Sequence, residues 1–317
     1  MWYAGAMEDA LSTVLGRVRL EGAILSRAEL AAPWGVSSGA LPTGVFHAVL
    51  RGKAVVQVGD RRGQTLDEGD VLLLPHGSPH VLADRQDRRP VPLLQLPAHE
   101  EAGVTVVTGG GDGPRTSILC GTVRFPEGTA HTLLGALPEV LIARRPGMYA
   151  PGAHTHMAAG ALALLLDELS RPGPGRDAIV SRLVEVFVLR LLREAVEQGT
   201  LRGAGWLGGL NDPIVARALA WLHQQRGAPG AAGLPEAIGV SRSVLYERFQ
   251  QLVGETPARY ALRWRMEQAG QAMRERDLSV AQAAELAGYA TEAAFAKAFK
   301  RVVGMPPAAW RKQQLVA

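Results

Sequence analysis

The chain has 317 residues, 47% of them apolar and 20% charged, which is material for about two domains with cores of their own. Its single cysteine, Cys120, excludes an intramolecular disulfide and a cysteine-based zinc site and fits a reducing cytoplasm. No apolar run reaches the ~18–20 residues of a membrane span, and the opening residues lack the basic and apolar regions of a signal peptide. The net charge of +4 is unevenly placed: Arg226–Ala317 holds 13 basic and 8 acidic residues, a balance of +5, which leaves −1 for everything before it. That is the distribution of a chain whose C-terminal third meets a polyanion, although a solvated basic face would look the same.

Residues 1–7 read as an N-terminal extension. From 8 to 125 the pattern is β: short apolar runs at Val45–Leu50, Ala54–Val58, Val71–Leu74 and Val104–Val107 are separated by Gly, Pro and Asp turns, with a hairpin tip at Gly59-Asp60. Many short strands at close spacing suggest a barrel or sandwich. Past residue 130 the period becomes helical at Leu162–Leu169 and Ile179–Glu197. In the second of these Ile179, Leu183 and Phe187 give way to Arg190 and Glu194, while Val184, Val186, Val188, Leu189, Leu191 and Leu192 make it apolar on more than one side. Such a helix packs on its own domain and on something else, either a homodimer partner or a deeper core. Residues 199–210 read as a linker and 211–317 as helix throughout, opened by the N-cap signal Asn211-Asp212-Pro213.

The C-terminal region repeats itself. Phe249, Gly254, Pro257 and Tyr260 recur 50 residues later as Phe299, Gly304, Pro307 and Trp310. In each copy a short helix ends at a glycine, Ser241 or Thr291 caps the next helix, and that helix buries Leu245 and Phe249, or Phe295 and Phe299, while its other face stays polar. This is a helix-turn-helix, at about 232–253 and again at about 279–303, with one long helix, Pro257–Glu275, as spacer. Two such units would offer recognition helices to successive major-groove segments about 34 Å apart.

The stretch SRSVLYERFQQLVGETPARYALRWRMEQA, followed by LSVAQAAELAGYATEAAFAKAFKRVVGMPPAAWR, resembles the DNA-binding domain of the AraC/XylS family of bacterial transcription regulators. The resemblance implies double-stranded DNA and RNA polymerase as partners, with activator and repressor both open as the output, and the homodimer is the expectation that the doubly apolar helix over Ile179–Glu197 supplies. It assigns base contacts to Ser243, Tyr246 and Glu247 in the first unit and to Glu292, Ala293 and Lys297 in the second. Arg242, Arg248, Lys300 and Arg301 are then placed near phosphates, which position the protein while base contacts specify sequence. Two departures from the family pattern stand out. Pro235 occupies the position where the second unit has Ala284, so the first helix of the first unit is expected to be short, starting near Leu234. The second recognition helix is rich in alanine, so the first unit is expected to carry most sequence choice.

Gly69 to His80 fits Gly-x5-Pro-x-Gly-x2-His, and with Phe46-His47 and Arg51-Gly52 it resembles the cupin-type sensor domain of one branch of that family. The fold class implied is α+β: a cupin-like β-barrel with flanking helices over 8–198, then an all-α domain of two helix-turn-helix units over 211–317. An effector pocket in the barrel is expected from Trp34, Phe46, His47 and His80, for an unknown small molecule or stress signal. Cupin enzymes hold a metal with several His and a Glu; here the first motif lacks both its His-x-His and its Glu, so no cofactor and no enzymatic activity are expected. A metal-dependent cupin enzyme fused to a DNA-binding domain is the alternative, and it would draw on His47, His76 and His80 for Zn, Ni or Fe. His154 and His156 form a second pair. Cys120 lies in an apolar stretch with no adjacent base, where a structural thiol is expected and thiol sensing is the alternative.

Overall fold

A computed structural model of the chain describes residues 10–15, 20–125, 130–144, 157–201, 205–225 and 231–314. They divide into two compact units: a β-rich one within Arg19–Phe125 and Pro138–Gln198, and a helical one within Met1–Val18, Pro126–Leu137 and Gly199–Ala317. The expected extension over residues 1–7, and His154 and His156, lie outside the described residues. Among the described residues no helix is long and apolar enough to cross a membrane.

The first described element is a helix, α1 (Ala10–Leu15), where the sequence pattern predicts β. Strands follow in order: β1 (Glu21–Ala31), β2 (Gly35–Ser38), β3 (Gly44–Arg51), β4 (Lys53–Val58), β5 (Gln64–Asp67), β6 (Val71–Leu74), β7 (His80–Ala83), β8 (Val91–Pro92), β9 (Ala98–Glu101), β10 (Val104–Gly110) and β11 (Arg115–Arg124). Helix α2 (Ala130–Ala136) and strand β12 (Leu141–Ala143) lead to α3 (Met157–Ser170) and α4 (Arg176–Glu197). The rest is helical: α5 (Gly205–Gly209), α6 (Pro213–Gln224), α7 (Leu234–Ile238), α8 (Arg242–Val253), α9 (Pro257–Glu275), α10 (Val280–Leu286), α11 (Glu292–Val303) and α12 (Pro307–Gln314).

In the β-rich unit the strands form two sheets rather than one closed barrel: seven strands in the order β12-β6-β3-β11-β1-β10-β9, and five in the order β5-β4-β7-β2-β8. The Gly59-Asp60 tip joins β4 to β5 in an antiparallel pair that runs from Lys53 opposite Asp67 to Val56 opposite Gln64. Both sheets feed one core, with Leu30, Val49, Leu72, Leu74 and Ile118 from the first and Val36, Val56, Val58, Leu66 and Leu82 from the second. β3 shows why: six of its eight residues are buried, because one face meets the second sheet and the other meets α4. Alternation along the strand sends Phe46 outward to α4, where its ring lies edge-on to Phe187 at 5.3 Å. Burying a side chain of that size contributes about 1.5–3 kcal/mol. The motif glycine Gly77 sits at φ +64°, and a Cβ there would collide with the carbonyl oxygens of Leu41 and Thr43; no other residue fits that turn.

The helical unit draws on sequence far from its centre. α1 packs on α6, and α2 packs on α5 and α9. Residues 199–210, expected to be a linker, contain α5, with Trp206 and Leu207 fully buried; the apolar pair overrides the glycine-rich composition. α7 is short and begins at Leu234 with Pro235 in its first turn, as expected. It ends at Gly239 in a left-handed conformation, φ +71°, which lets the chain turn directly into α8.

Candidate nucleic-acid interface and a buried histidine–cysteine row

α8 and α11 are the second helices of the two repeated units, and each is capped at both ends in the same way. Ser241 caps α8 by accepting from the Val244 N–H at 3.4 Å, and Thr291 caps α11 by accepting from the Ala294 N–H at 3.2 Å. Both helices end at left-handed glycines, Gly254 and Gly304. Leu245 and Phe249 are buried under α8, and Phe295, Ala298 and Phe299 under α11. The repeat extends to ring geometry. Tyr260 meets Phe249 edge-on at 5.7 Å and 74°, and Trp310 meets Phe299 edge-on at 6.3 Å and 65°. Each aromatic on the following helix therefore clamps the phenylalanine beneath α8 or α11.

The outward face of α8 carries Arg242, Ser243, Glu247 and Arg248 exposed and Tyr246 half-buried; α11 exposes Glu292, Ala293, Lys297, Lys300 and Arg301. On α8 the polar side chains have local partners. The Arg242 guanidinium lies over the Tyr246 ring at 5.1 Å, and the Ser243 and Ser241 hydroxyls are 3.2 Å apart. Gln251 donates to Glu247 at 3.3 Å. Arg248, placed near phosphate by the resemblance, donates to Asp212 at 2.6 Å and so ties α8 to the start of α6. Asp212 is the N-cap of α6, as expected, accepting from the Ile214 and Val215 N–H groups. Burial pushes its carboxyl upward, but the Val215 N–H, Arg248 and the Ile214 N–H outweigh that and hold it below the usual carboxylate range.

Beneath α8 lies a cluster that no sequence signal announced. His223 of α6 meets the Tyr260 hydroxyl at 2.7 Å and stacks at 4.2 Å on Trp264. One turn further along α9, burial raises the Glu267 carboxyl to about 8 against the pull of Arg263.

In the β-rich unit the predicted pocket residues separate. His47 and His80 are buried and come together, nitrogen to nitrogen, at 2.9 Å. Trp34 joins the same inter-sheet core, and its indole Nε1 is buried with no hydrogen-bond partner among the described residues. Phe46 does not belong with them: it is the neighbour of His47 on one strand, so it points to the opposite face, against α4. His76 is exposed on the turn before β7, so the three imidazoles do not converge. Among the described residues no three metal-ligating side chains do.

Cys120 is a buried thiol, and it has a partner that its sequence neighbourhood does not show. β11 pairs with β3 so that Cys120 lies opposite His47, and the sulfur is 3.1 Å from His47 Nδ1. The base that is absent from its sequence neighbourhood is supplied by the neighbouring strand. The resulting row has one consistent set of protons. His80 Nδ1 faces the Ser78 carbonyl at 2.9 Å, which can only accept, so Nδ1 carries the hydrogen and Nε2 accepts. His47 must then donate from Nε2, leaving Nδ1 to accept from the Cys120 thiol. Burial keeps every member neutral. It lowers His47 to about 3, helped by the nearby His80, lowers His80 against the opposing Ser78 carbonyl, and pushes the Cys120 thiol up to about 12 against a hydrogen bond from Ser26.

The chain matches the cupin family model over residues 9–197 and a helix-turn-helix domain model over residues 234–313. An AraC-like transcription regulator described in Streptomyces lividans is 31% identical over 309 residues, 96% of this chain and 97% of that one. One described in Streptomyces antibioticus is 31% identical over 98% of this chain and 99% of its own. The RCS-specific transcriptional activator RclR of Escherichia coli is 28% identical over 96% and 98%. Matched from end to end in this way, the chain belongs to the AraC-like transcription regulators, with a cupin domain followed by a helix-turn-helix DNA-binding domain.

Proposed function

We propose that this regulator binds a specific double-stranded operator in the cytoplasm as a homodimer, and that its cupin domain responds to a small molecule or stress signal. The observation that carries the DNA reading is the repeat of two capped helices, α8 and α11, with matching buried rings and outward polar faces. In this reading α8 supplies most base choice through Ser243, Tyr246 and Glu247. α11 contributes Glu292, Ala293 and Lys297, with Arg242, Lys300 and Arg301 on phosphates. Activation through RNA polymerase is in keeping with the activator named in E. coli.

The inter-sheet core bounded by Trp34, His47 and His80 is the effector region in this reading. Its apolar lining is joined by the histidine–cysteine row, the Ser26 hydroxyl beside Cys120 and the indole nitrogen that has no partner among the described residues, so an effector must favour one of two conformations of that core to change operator affinity. α4 offers Ile179 and Val186 to a second copy; both remain over 40% exposed.

The test is binding of the full chain to its own upstream region as salt is raised. Affinity should fall steeply with salt as counterions return to the phosphates. Tyr246→Ala should lower sequence preference and Lys297→Ala should lower affinity. Unchanged affinity and preference in both variants would remove α8 and α11 as the reading helices.

A further inference from the structure

Val244 is the third residue of α8 and stands out on its surface. It is a large aliphatic side chain, 41% exposed, on the helix face that otherwise carries Glu247, Arg248 and Gln251, with Ser243 at its edge. Its backbone N–H is the one the Ser241 cap holds, so it lies in the first turn, the part of a recognition helix that reaches base edges. Its polar neighbours are engaged locally: Arg242 over the Tyr246 ring, Ser243 with Ser241 and Glu247 with Gln251. The repeat places Ala294 at the same point of α11, 50 residues on, also exposed and apolar and also held through its N–H by a capping hydroxyl.

The major groove has one apolar group on its floor, the C5-methyl of thymine. An exposed valine in a polar reading face gains nothing from a guanine or adenine edge and leaves their polar groups desolvated, whereas a thymine methyl gives it a contact of its own kind. We infer that Val244 is a specificity-determining residue that reads the C5-methyl of one thymine in the operator, with Ala294 offering a smaller contact of the same type from α11. This rests on the proposal that α8 enters the major groove. It adds an apolar contact to the polar readout assigned to Ser243, Tyr246 and Glu247, and it requires a T·A pair at the position facing the start of α8.

The experiment uses the full chain and a duplex enriched by it from a random-sequence library. Each thymine is replaced in turn by deoxyuridine, which removes the methyl and nothing else. For the wild type, one replacement should weaken binding about 4-fold, the worth of one buried methyl group. Val244→Ala should bind the unmodified duplex about 4-fold more weakly and should lose less than 2-fold more on that same replacement. Because Val244 is exposed and alanine favours helix, the variant should keep the wild-type melting temperature. Val244→Thr, which keeps a methyl at the branch, should retain part of the thymine preference. Deoxyuridine sensitivity of the same size in Val244→Ala, or no sensitive thymine in the wild type, would overturn the assignment. Tyr246→Ala separates the two levels. If it weakens binding while Val244→Ala behaves as wild type, only the thymine contact fails. If it too is without effect, α8 does not read the operator at all.

Discussion

His47 and Cys120 stand opposite each other on adjacent antiparallel strands, with the imidazole Nδ1 3.1 Å from the sulfur. The row continues through His80 to the Ser78 carbonyl, and each junction holds a single hydrogen. An added proton therefore puts two donors face to face inside an apolar core, and this gives the fold a pH dependence of known sign.

His47 is held at about 3 in the folded chain against an ordinary 6.5. Below pH 6.5 the unfolded chain takes up a proton that the folded chain refuses. The stability tied to neutral His47 is thus complete above 6.5 and is lost as pH falls toward 3. Between pH 7.5 and 5.5 the loss from this group is about 1.4 kcal/mol. Urea unfolding of the wild type and of His47→Gln at the two pH values checks it. The wild type should lose more than the variant by about that amount, and equal losses would show that His47 is not the group responsible.

Leu133 lies well before the DNA-binding sequence, yet it is fully buried on α2, the helix that packs on α5 and α9 within the helical unit. Leu133→Ala should destabilise that unit by about 2–5 kcal/mol, the transfer and cavity cost of a large-to-small change in a core. The expected readout is a lower first melting transition together with loss of DNA binding at the same temperature. DNA binding that survives past the transition would show that α2 is dispensable to the helical unit.

Much of this architecture is legible in the sequence because its signals are local. The caps Ser241 and Thr291, the short start at Leu234 and the extent of Pro257–Glu275 follow from residue types within a turn or two, and the structure has each of them. The 50-residue repeat is visible because four large or conformationally special residues recur in order. The capping box at Ser279 and Gln282 was equally local and could have been read from its Ser-x-x-Gln spacing. What escapes is set by register and packing. The partnership of His47 with Cys120 depends on which residues β3 and β11 bring opposite each other, 73 positions apart in sequence. The separation of Phe46 from His47 and His80 depends on α4 covering the outer face of β3. The burial of Trp206 in a stretch rich in glycine likewise depends on what surrounds it, and composition carries no trace of that.

The Tyr260 hydroxyl meets His223 Nε2 at 2.7 Å, and both side chains are buried. Tyr260→Phe keeps the ring that clamps Phe249 and removes only this contact. Stability should fall by about 1–3 kcal/mol, the cost of leaving a buried polar group without that partner. Phe249→Ala removes the ring beneath α8 and should cost more, about 3–5 kcal/mol. Chemical denaturation of the two variants should give that order. The reverse order would mean that the helical unit depends on the hydroxyl more than on the packed ring pair.

Asp212 joins two functions that the sequence presents separately. Its Oδ1 caps α6 through the Ile214 and Val215 N–H groups, and its Oδ2 takes the Arg248 guanidinium at 2.6 Å. Asp212→Ala should cost about 1–2 kcal/mol through the cap. Arg248→Ala should cost no more than about 1 kcal/mol, because its side chain is half exposed, and the double variant should fall short of the sum since the two share one contact. DNA binding distinguishes the two roles open to Arg248. Asp212→Asn keeps an oxygen for the cap but removes the charge that holds the guanidinium. With Arg248 on a phosphate, this variant should bind more tightly than the wild type, and Arg248→Ala should lower the slope of log affinity against log salt by about 1. A salt slope that Arg248→Ala leaves unchanged would confine Arg248 to bracing α8 against α6.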